Sequence, residues 1–399
     1  MLSLNYSPKL FRICLGSAII TLTGLVFFWS RRPSRNMMYD LHFNSEAEQS
    51  AEVALTTGNR YVKFKQLNGI GFNNQAQEVL LYHHLALESN RIYVYQPLSW
   101  LPRNNEQVPL SAFLAGPTAG SINEAHFHKV CSWRDVVHIK LATNSRSQWN
   151  HAKQVLRGGE RCIVVDDWIM TWDFLASPDF SNIWGSFQEY LKKHFEWSLP
   201  IKYIADRTQR KLGLLPARGG EPYMALHLRR GDFEGHCPGL ARKQLGFTTW
   251  ASLPILLPSI LGPPFNRTDP VSVVQHCYPS LDRIFEAITV QARRNPHIHR
   301  LHILHDAMDE RQYNDLVTKL KDPAQTARAG WTGGPMQAIT QSSDIPIQKC
   351  ERDWEVCLDE EIGRRAAVFI GNGYSSLSSQ IIALRLGADR GNVEDVMLY

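Results

Sequence analysis

A strand, a glycine-containing loop, a helix and a second strand follow one another from residue 60 to residue 95, and this order constrains the fold most. Arg60–Lys65 alternates apolar and polar residues, and Ala76–Glu88 carries apolar residues at helical spacing before the strand-like Ile92–Tyr95. Parallel strands require a crossover connection, usually a helix, so this unit predicts an α/β fold with a parallel sheet. The loop 67–75 would then lie at the carboxyl edge of the sheet, where α/β proteins bind ligands.

The length of 399 residues, about twice that of a usual single domain, leaves room for a second domain of the same class. A segment rich in Gly and Pro, 212–222, predicts the boundary. We therefore predict an N-terminal Rossmann-like domain over 60–218 and a C-terminal one over 219–399, while 97–160 predicts no particular elements. The remaining pattern predicts strands from Tyr223 and at Cys162–Val165, Arg300–Leu304 and Ala366–Ile370, and helices at Phe187–Phe195, Leu281–Arg293 and Ser378–Leu386.

The N-terminal segment predicts a membrane anchor. Ile13–Ser30 is an uncharged run of 18 residues, close to the roughly 20 that a bilayer-spanning helix needs. A cleaved signal peptide is the alternative, but the end of the run lacks a pair of small residues at cleavage spacing. We predict a short tail at 1–12, a transmembrane signal anchor at 13–30 and a polar stem at 31–59. The charges leave the orientation open, because three Arg residues after the run would favour a cytosolic body.

The distribution of charge argues against a general polyanion-binding role. The chain has 43 Lys and Arg residues against 38 Asp and Glu residues, and residues 1–35 hold five of the bases and no acid. The rest of the chain is therefore formally neutral, with 38 groups of each sign. No nucleic-acid partner is predicted, and any anion site must be local.

The even number of cysteines in the body suits disulfides in an oxidising compartment, although spacing does not predict their connectivity. Asn266 begins an Asn-Arg-Thr glycosylation sequence in a stretch rich in Pro and Gly, which predicts an exposed loop. No Cys-x-x-Cys pair occurs, and the His-rich region 297–305 mixes strand faces, so no metal site is predicted. The six body cysteines are Cys131, Cys162, Cys237, Cys277, Cys350 and Cys357.

The segment His227–Asp232 places two guanidinium groups directly after the strand that begins at Tyr223. Arg presents a planar fork of donors that matches phosphate oxygens, and it keeps its charge at physiological pH. Arg229 and Arg230 at a strand end therefore favour a diphosphate site. A surface Arg pair bound to Asp232 and solvent is the alternative.

Two other strand-to-helix joints carry groups that suit an anion or a hydroxyl. Gly371–Ser379 follows a predicted strand, and the free amides of a helix start can bind a phosphate together with Ser side chains. The other is the loop 67–75 between the first strand and its helix, which we call the first joint. In it, Gly71 allows close backbone approach, and Asn73 and Asn74 can donate and accept hydrogen bonds. Helix capping and ordinary turn chemistry explain either joint alone. Three such joints from both proposed domains together predict one ligand cleft.

The three joints resemble the GDP-fucose-dependent O-fucosyltransferases and their wider relatives among α1,2- and α1,6-fucosyltransferases. The resemblance covers about 60–388 and rests on Gly69–Gln75, His227–Phe233 and Phe369–Ser379. It implies a GT-B architecture, in which two Rossmann-like domains face a cleft, with GDP-fucose bound by the C-terminal domain and no metal or cofactor required. It also implies a single-pass type II protein of the endoplasmic reticulum or Golgi membrane, with a lumenal body, which sets the orientation that the charges leave open.

The resemblance assigns the donor site to the second domain. Arg229 would contact the β-phosphate and the glycosidic oxygen and would stabilise charge on the departing GDP, with Arg230 as a supporting cation. His227 would meet the ribose or guanine end, and Asp359 takes the place of a family acid that hydrogen-bonds guanine. The β-phosphate would be received by the start of the last helix, at Ser376, at Leu377, which replaces the more usual Phe, and at Ser378.

The resemblance assigns the acceptor side to the first joint. Asn74 matches a first-loop Asn near the reacting centre, with Gly71 and Asn73 beside it as binding residues. Some relatives carry a Glu here as general base, but Ile70 and Gly71 stand in that region. The expected reaction is an inverting transfer of fucose to a protein Ser or Thr, either dissociative with help from Asn74 or assisted by a base such as Asp232. A glycan acceptor and a non-catalytic sugar-nucleotide-binding protein are the alternatives.

Overall fold

The computed structural model describes residues 35–141, 148–175, 177–214, 221–262, 264–306, 308–389 and 391–399. The tail and the membrane anchor expected at 1–12 and 13–30 lie outside the described residues. Within the described ranges, no helix is both long enough and apolar enough to cross a bilayer.

Strands and helices are interspersed in both halves of the described chain. The helices are α1 (Arg35–Ala54), α2 (Phe72–Glu88), α3 (Glu124–Val130), α4 (Gln148–Leu156), α5 (Trp172–Leu175), α6 (Pro178–Asn182), α7 (Trp184–His194), α8 (Leu199–Leu212), α9 (Phe233–Arg242), α10 (Pro270–Cys277), α11 (Leu281–Arg294), α12 (Glu310–Lys321), α13 (Pro323–Arg328), α14 (Glu355–Arg365) and α15 (Ser376–Ala383). The strands are β1 (Tyr61–Phe64), β2 (Ile92–Tyr95), β3 (Leu98–Trp100), β4 (Glu106–Val108), β5 (Ile122–Asn123), β6 (Val136–Ile139), β7 (Cys162–Val165), β8 (Tyr223–Leu228), β9 (Arg300–His305), β10 (Ala338–Gln341), β11 (Val368–Gly371) and β12 (Val396–Leu398).

The first sheet has the strand order β5-β2-β1-β7-β6, and all of its neighbouring strands are parallel. The chain passes outwards from β1 to β2 and β5 and then returns to the other side of β1 through β6 and β7. β1 connects to its neighbour β2, whereas β7, on the other side of β1, is reached from the outer strand β6. We call the carboxyl ends of β1 and β7 the first switch point, because these neighbours belong to two separate groups of strands and α/β sheets bind ligands at the carboxyl ends of their strands.

The second sheet has the strand order β10-β9-β8-β11-β12 and is also parallel throughout. All six residues of β8 are buried, and Met224, Leu226 and Leu228 join Ile284 and Ile288 of α11 in one apolar core. The crossovers reverse between β8 and β11, which defines the second switch point. The expected α/β class with parallel sheets is confirmed.

The segment expected to be a polar stem at 31–59 is largely helical, because it contains α1. Its polar side chains are bound to the body: Glu46 Oε1 accepts the Ser111 N–H at 2.8 Å, and Ser50 Oγ accepts the Asn123 N–H at 2.9 Å. Polar residues of the described part of this segment thus attach a helix to the body through hydrogen bonds that hydropathy does not reveal, and the stem boundaries stay a prediction.

Four of the body cysteines form disulfides, Cys131–Cys162 and Cys237–Cys277. The first joins the end of α3 to β7, and the second joins α9 to α10. Cys350 and Cys357 are free thiols, so the even count does not mean that every cysteine is paired.

Candidate functional site

The second switch point brings the Arg-containing joint and the Ser-rich joint into direct contact. His227 Nδ1 lies 2.7 Å from Ser378 Oγ, and the same oxygen accepts the Asn372 N–H at 2.9 Å. All three side chains are buried. His227 and Ser378, predicted as separate ligand contacts, thus form one hydrogen-bonded unit that holds the two loops together.

The imidazole of His227 is neutral at physiological pH. Burial lowers the pKa of His227 to about 3, and the positive charge of Arg229 acts in the same direction. A neutral imidazole can exchange hydrogen bonds with hydroxyl or amide groups, but it adds no charge to an anion site. This state suits the predicted contact with a ribose or a base better than a contact with phosphate.

Arg229 is oriented by two carboxylates. Its Nη2 lies 2.9 Å from Asp232 Oδ1, and its Nε lies 3.3 Å from Asp306 Oδ2. The guanidinium also stands 5.3 Å from the ring centre of Phe233, and about a third of the side chain is exposed, 34%. The guanidinium of Arg229 is therefore already oriented before an anion binds. The exposed Asp232, the predicted candidate base, is engaged by this same cation.

Asp306 organises this loop, although the sequence pattern did not identify it. Its carboxylate accepts the Arg230 N–H at 2.9 Å and the Gly231 N–H at 3.2 Å. Burial alone would raise the pKa of Asp306, but these N–H groups and the charge of Arg229 hold it below its ordinary value. Asp306 follows β9 directly and so lies at the carboxyl edge of the sheet beside β8. This position after a strand is the sequence feature that could have identified it.

Arg230 is held inside the protein. Its side chain is buried, Nη2 donates to the Pro279 carbonyl at 2.8 Å, and the guanidinium stands 4.4 Å from the ring centre of Tyr278. These contacts give Arg230 a supporting position. Its predicted influence on a bound anion would be exerted through charge at a distance.

Asp359 reaches the same edge of the second sheet from α14. Ser342 Oγ donates to its carboxylate at 2.9 Å, and this Ser also accepts the His305 N–H at 3.0 Å. Burial raises the pKa of Asp359 to about 7. A ligand that presents N–H donors, as guanine does, would favour the charged form of this carboxyl group.

The Ser-rich joint depends on close backbone approaches. A side chain at Gly373 would come within 2.6 Å of the Phe247 ring, and one at Gly371 would come within 2.9 Å of Ser378 Oγ. Helix α15 begins directly afterwards, with Ser376 and Leu377 half-buried in its first turn. The first amides of an α-helix lack intrahelical partners, and the binding of a ligand at this turn stays a prediction.

The first joint is fixed by a glutamine. Gln75 Nε2 donates to the carbonyls of Ile70 and Ser99, both at 2.8 Å, and Gln75 Oε1 accepts the Ser99 N–H at 2.9 Å. Gly69 has a φ of +70°, which favours glycine, whereas open space lies where a side chain of Gly71 would stand. The loop therefore has a defined shape with room beside Gly71.

The two asparagines of the first joint are placed differently. Asn73 is buried, and its Oδ1 has no hydrogen-bond partner within the described part of the chain. Asn74 lines a cavity at the first switch point together with Thr249 from the second half of the chain. Gln77, one turn after Asn73, donates to the Ser376 carbonyl at 2.9 Å and so links α2 to the start of α15. The helix that follows the first joint is thereby connected to the third joint.

Thr249 belongs to the same region, and nothing in the sequence pattern pointed to it. Its φ is +42°, an unusual backbone conformation for a β-branched residue. The strained turn is held because Thr249 Oγ1 contacts Ser379 Oγ, which also accepts the Trp250 N–H at 2.8 Å. Such strain is typical of functional sites, where surrounding contacts maintain it.

Asn266 lies in an exposed turn, as its surroundings predict. Its Oδ1 accepts hydrogen bonds from the Thr268 N–H at 3.0 Å and the Thr268 hydroxyl at 2.8 Å. The side chain is accessible to a modifying enzyme, and glycosylation itself stays a prediction.

Within the described residues, no three His, Cys, Asp or Glu side chains are grouped as metal ligands would be.

Solved structures of POFUT1 share this fold, whereas no family model and no curated protein matches the chain. The apo form of POFUT1 is 15% identical, with a TM-score of 0.54 over 86% of this chain and 99% of that one. A complex of POFUT1 with GDP-fucose is 13% identical, with a TM-score of 0.53 over 87% and 99% of the two chains. A complex with GDP is 14% identical, with a TM-score of 0.52 over 86% and 99%. The resemblance drawn from the three joints is thus confirmed at the level of the fold.

Proposed function

We propose that this chain is a fucosyltransferase that moves fucose from GDP-fucose to a hydroxyl group of an acceptor. The observation that carries the proposal is that the three joints lie together: His227 lies 2.7 Å from Ser378, and Gln77, in the helix that follows the first joint, donates to the Ser376 carbonyl at 2.9 Å. A fold shared with a GDP-fucose complex of POFUT1 supports the choice of donor.

The second switch point supplies the groups that such a donor needs. Arg229, oriented by Asp232 and Asp306, would stabilise the negative charge that develops on the β-phosphate as the bond to fucose breaks. The first turn of α15 would bind the same phosphate through its amides. Asp359 would receive the N–H groups of guanine, and neutral His227 would meet the nucleoside.

The finer parts of the proposal concern stereochemistry, acceptor and location. We place the acceptor, a Ser or Thr hydroxyl of a protein, against the first joint, opposite the leaving group, so that attack inverts the anomeric carbon. The charge of Arg229 and the amides of α15 would take the place of a metal ion at the diphosphate. The two disulfides support a lumenal body in the endoplasmic reticulum or Golgi, where disulfides persist.

The test is to incubate the full chain with GDP-fucose and a protein acceptor mixture, with EDTA or with manganese, and to measure released GDP. We expect equal release under both conditions. Release that requires manganese would contradict the metal-independent mechanism. GDP binding by calorimetry without any release over a long incubation would instead identify a non-catalytic sugar-nucleotide-binding protein.

A further inference from the structure

A buried carboxyl group stands at the first switch point. Glu78 is 3% exposed and bridges the segments that follow the two strands of that point. Its Oε2 accepts the Leu67 N–H beyond β1 at 3.0 Å, and its Oε1 accepts the indole N–H of Trp168 beyond β7 at 2.8 Å. The carboxyl group thus lies between the two strand ends, where α/β sheets bind their ligands.

Glu78 lines the cavity that Asn74 and Thr249 share. The cavity has a volume of about 20 Å³, enough for one water molecule, which needs at least roughly 10–15 Å³. Glu78 and Asn74 lie on the same face of α2, one turn apart, with Asn74 nearer the loop. Of the nine lining residues, all of them described, Glu78 is the one with an acidic or basic side chain; the others are Leu67, Asn74, Gln77, Leu81, Trp168, Met170, Leu175 and Thr249.

The surroundings of Glu78 allow it to gain and lose a proton near neutral pH. Burial raises the pKa of Glu78 to about 7, although the two N–H groups and Tyr82 oppose this rise. Tyr82 of the same helix and Tyr93 of β2 also face Glu78, and burial raises the pKa of both phenols above the ordinary value. They therefore stay neutral across the range in which Glu78 titrates.

The carboxylates nearest in sequence to Trp168 are engaged elsewhere. Asp166 lies 3.0 Å from His138 Nδ1, and Asp167 accepts the Leu141 N–H at 2.9 Å. Uptake of a proton at the wall of this cavity therefore depends on the carboxylate of Glu78.

We propose that Glu78 accepts the proton of the acceptor hydroxyl through a water molecule held in this cavity, and this assignment rests on the transfer reaction proposed above. In this step the acceptor oxygen bonds to the anomeric carbon of fucose, while the bond from that carbon to the β-phosphate oxygen breaks. GDP leaves with the electron pair. The acceptor proton passes to the water, the water gives a proton to the carboxylate of Glu78, and the carboxylic acid later releases it to solvent.

The experiment measures kcat/KM for the acceptor from pH 5 to pH 9 in the wild type and in Glu78→Gln. For the wild type we expect a tenfold loss per pH unit below about pH 7, because the protonated acid cannot take a proton. For Glu78→Gln we expect a rate about 10²–10⁴ lower at pH 8, the usual contribution of a general base, and no acid limb. Calorimetry with GDP serves as the second readout and should give an affinity within twofold of the wild type.

Glu88→Gln is the matched control, because Glu88 is on the same helix and also accepts an indole N–H, that of Trp149, at 3.0 Å. It should keep the acid limb. Trp168→Phe removes one donor from Glu78 but leaves the carboxyl group, so a loss as large as that of Glu78→Gln would show a structural role and overturn the proposal. If the wild type transfers fucose but its pH profile has no acid limb, this result alone overturns the proposal. Absence of all transfer would contradict the proposed function itself.

Discussion

The two switch points both lie at the carboxyl ends of neighbouring parallel strands, but their sheets differ in strand order and their side chains differ in chemistry. At the second, between β8 and β11, the loop ends are joined by charged and hydroxyl groups: Arg229, Asp306, His227 and Ser378. At the first, between β1 and β7, a carboxyl group lies in a largely apolar wall. Two parallel α/β sheets in one chain can therefore supply two unlike half-sites. One is suited to hold an anion and the other to exchange a proton.

Among variants of the second switch point and of its link to the first, removal of the cation should have the largest effect. We expect Arg229→Ala to lower kcat by about 10²–10³, the usual loss for one preorganised donor at a developing charge. Arg300→Ala is the matched control, since Arg300 makes an ion pair with Glu221 at 2.9 Å at the opposite end of a neighbouring strand. Steady-state kinetics with GDP-fucose measures both. A rate for Arg229→Ala within threefold of the wild type would remove this residue from the chemistry.

The two disulfides offer a way to perturb each half separately. Replacing either pair by Ser should lower the free energy of unfolding by about 2–4 kcal/mol, as measured by denaturant titration. Only the loss of Cys237–Cys277 should also weaken GDP binding, by about tenfold, because the Cys277 carbonyl accepts a hydrogen bond from Asn372 Nδ2 at 2.8 Å. Equal loss of GDP affinity in the Cys131–Cys162 variant would show that the donor site is not confined to the second switch point.

The link between the half-sites should have the smallest effect. Gln77→Ala removes the hydrogen bond to Ser376 and should lower kcat/KM about three- to tenfold, in line with the roughly 0.5–1.5 kcal/mol of one such bond. Gln188→Ala is the matched control, because Gln188 donates to the Leu386 carbonyl at 2.9 Å, another bond from the first half of the chain to the second. If both variants lose the same activity, the Gln77 bond has only a general structural role.

The regular parts of this fold could be predicted because their sequence patterns are local. The strand at Ile92–Tyr95 has the expected bounds, and the helix expected at Leu281–Arg293 ends one residue later. The helix expected at Ala76–Glu88 begins instead at Phe72, because Gly71 serves as its N-cap and its carbonyl accepts the Asn74 N–H at 3.1 Å. Within the described residues of the unassigned region 97–160, the helices and strands have two to nine residues each, too few to show a period.

The site was predictable where residues follow strand ends in sequence and was missed where contacts come from afar. Arg229 lies directly beyond β8, and Ser378 lies in the first turn of α15, the helix that follows β11, so the strand-to-helix joints indicated both residues. Glu78 lies in the middle of a helix whose pattern indicates only an apolar face, and its two partners are 11 and 90 residues away. Thr249 owes its place to a backbone conformation that no local pattern encodes.

The most direct test of the central claim is mass spectrometry of candidate acceptors after incubation of the full chain with GDP-fucose in EDTA, with Arg229→Ala as the blank. We expect the wild type to add fucose to a Ser or Thr hydroxyl and to release an equal amount of GDP, and we expect the Arg229→Ala variant to add far less. Intact GDP-fucose and unmodified acceptors after a long incubation with the wild type would contradict it.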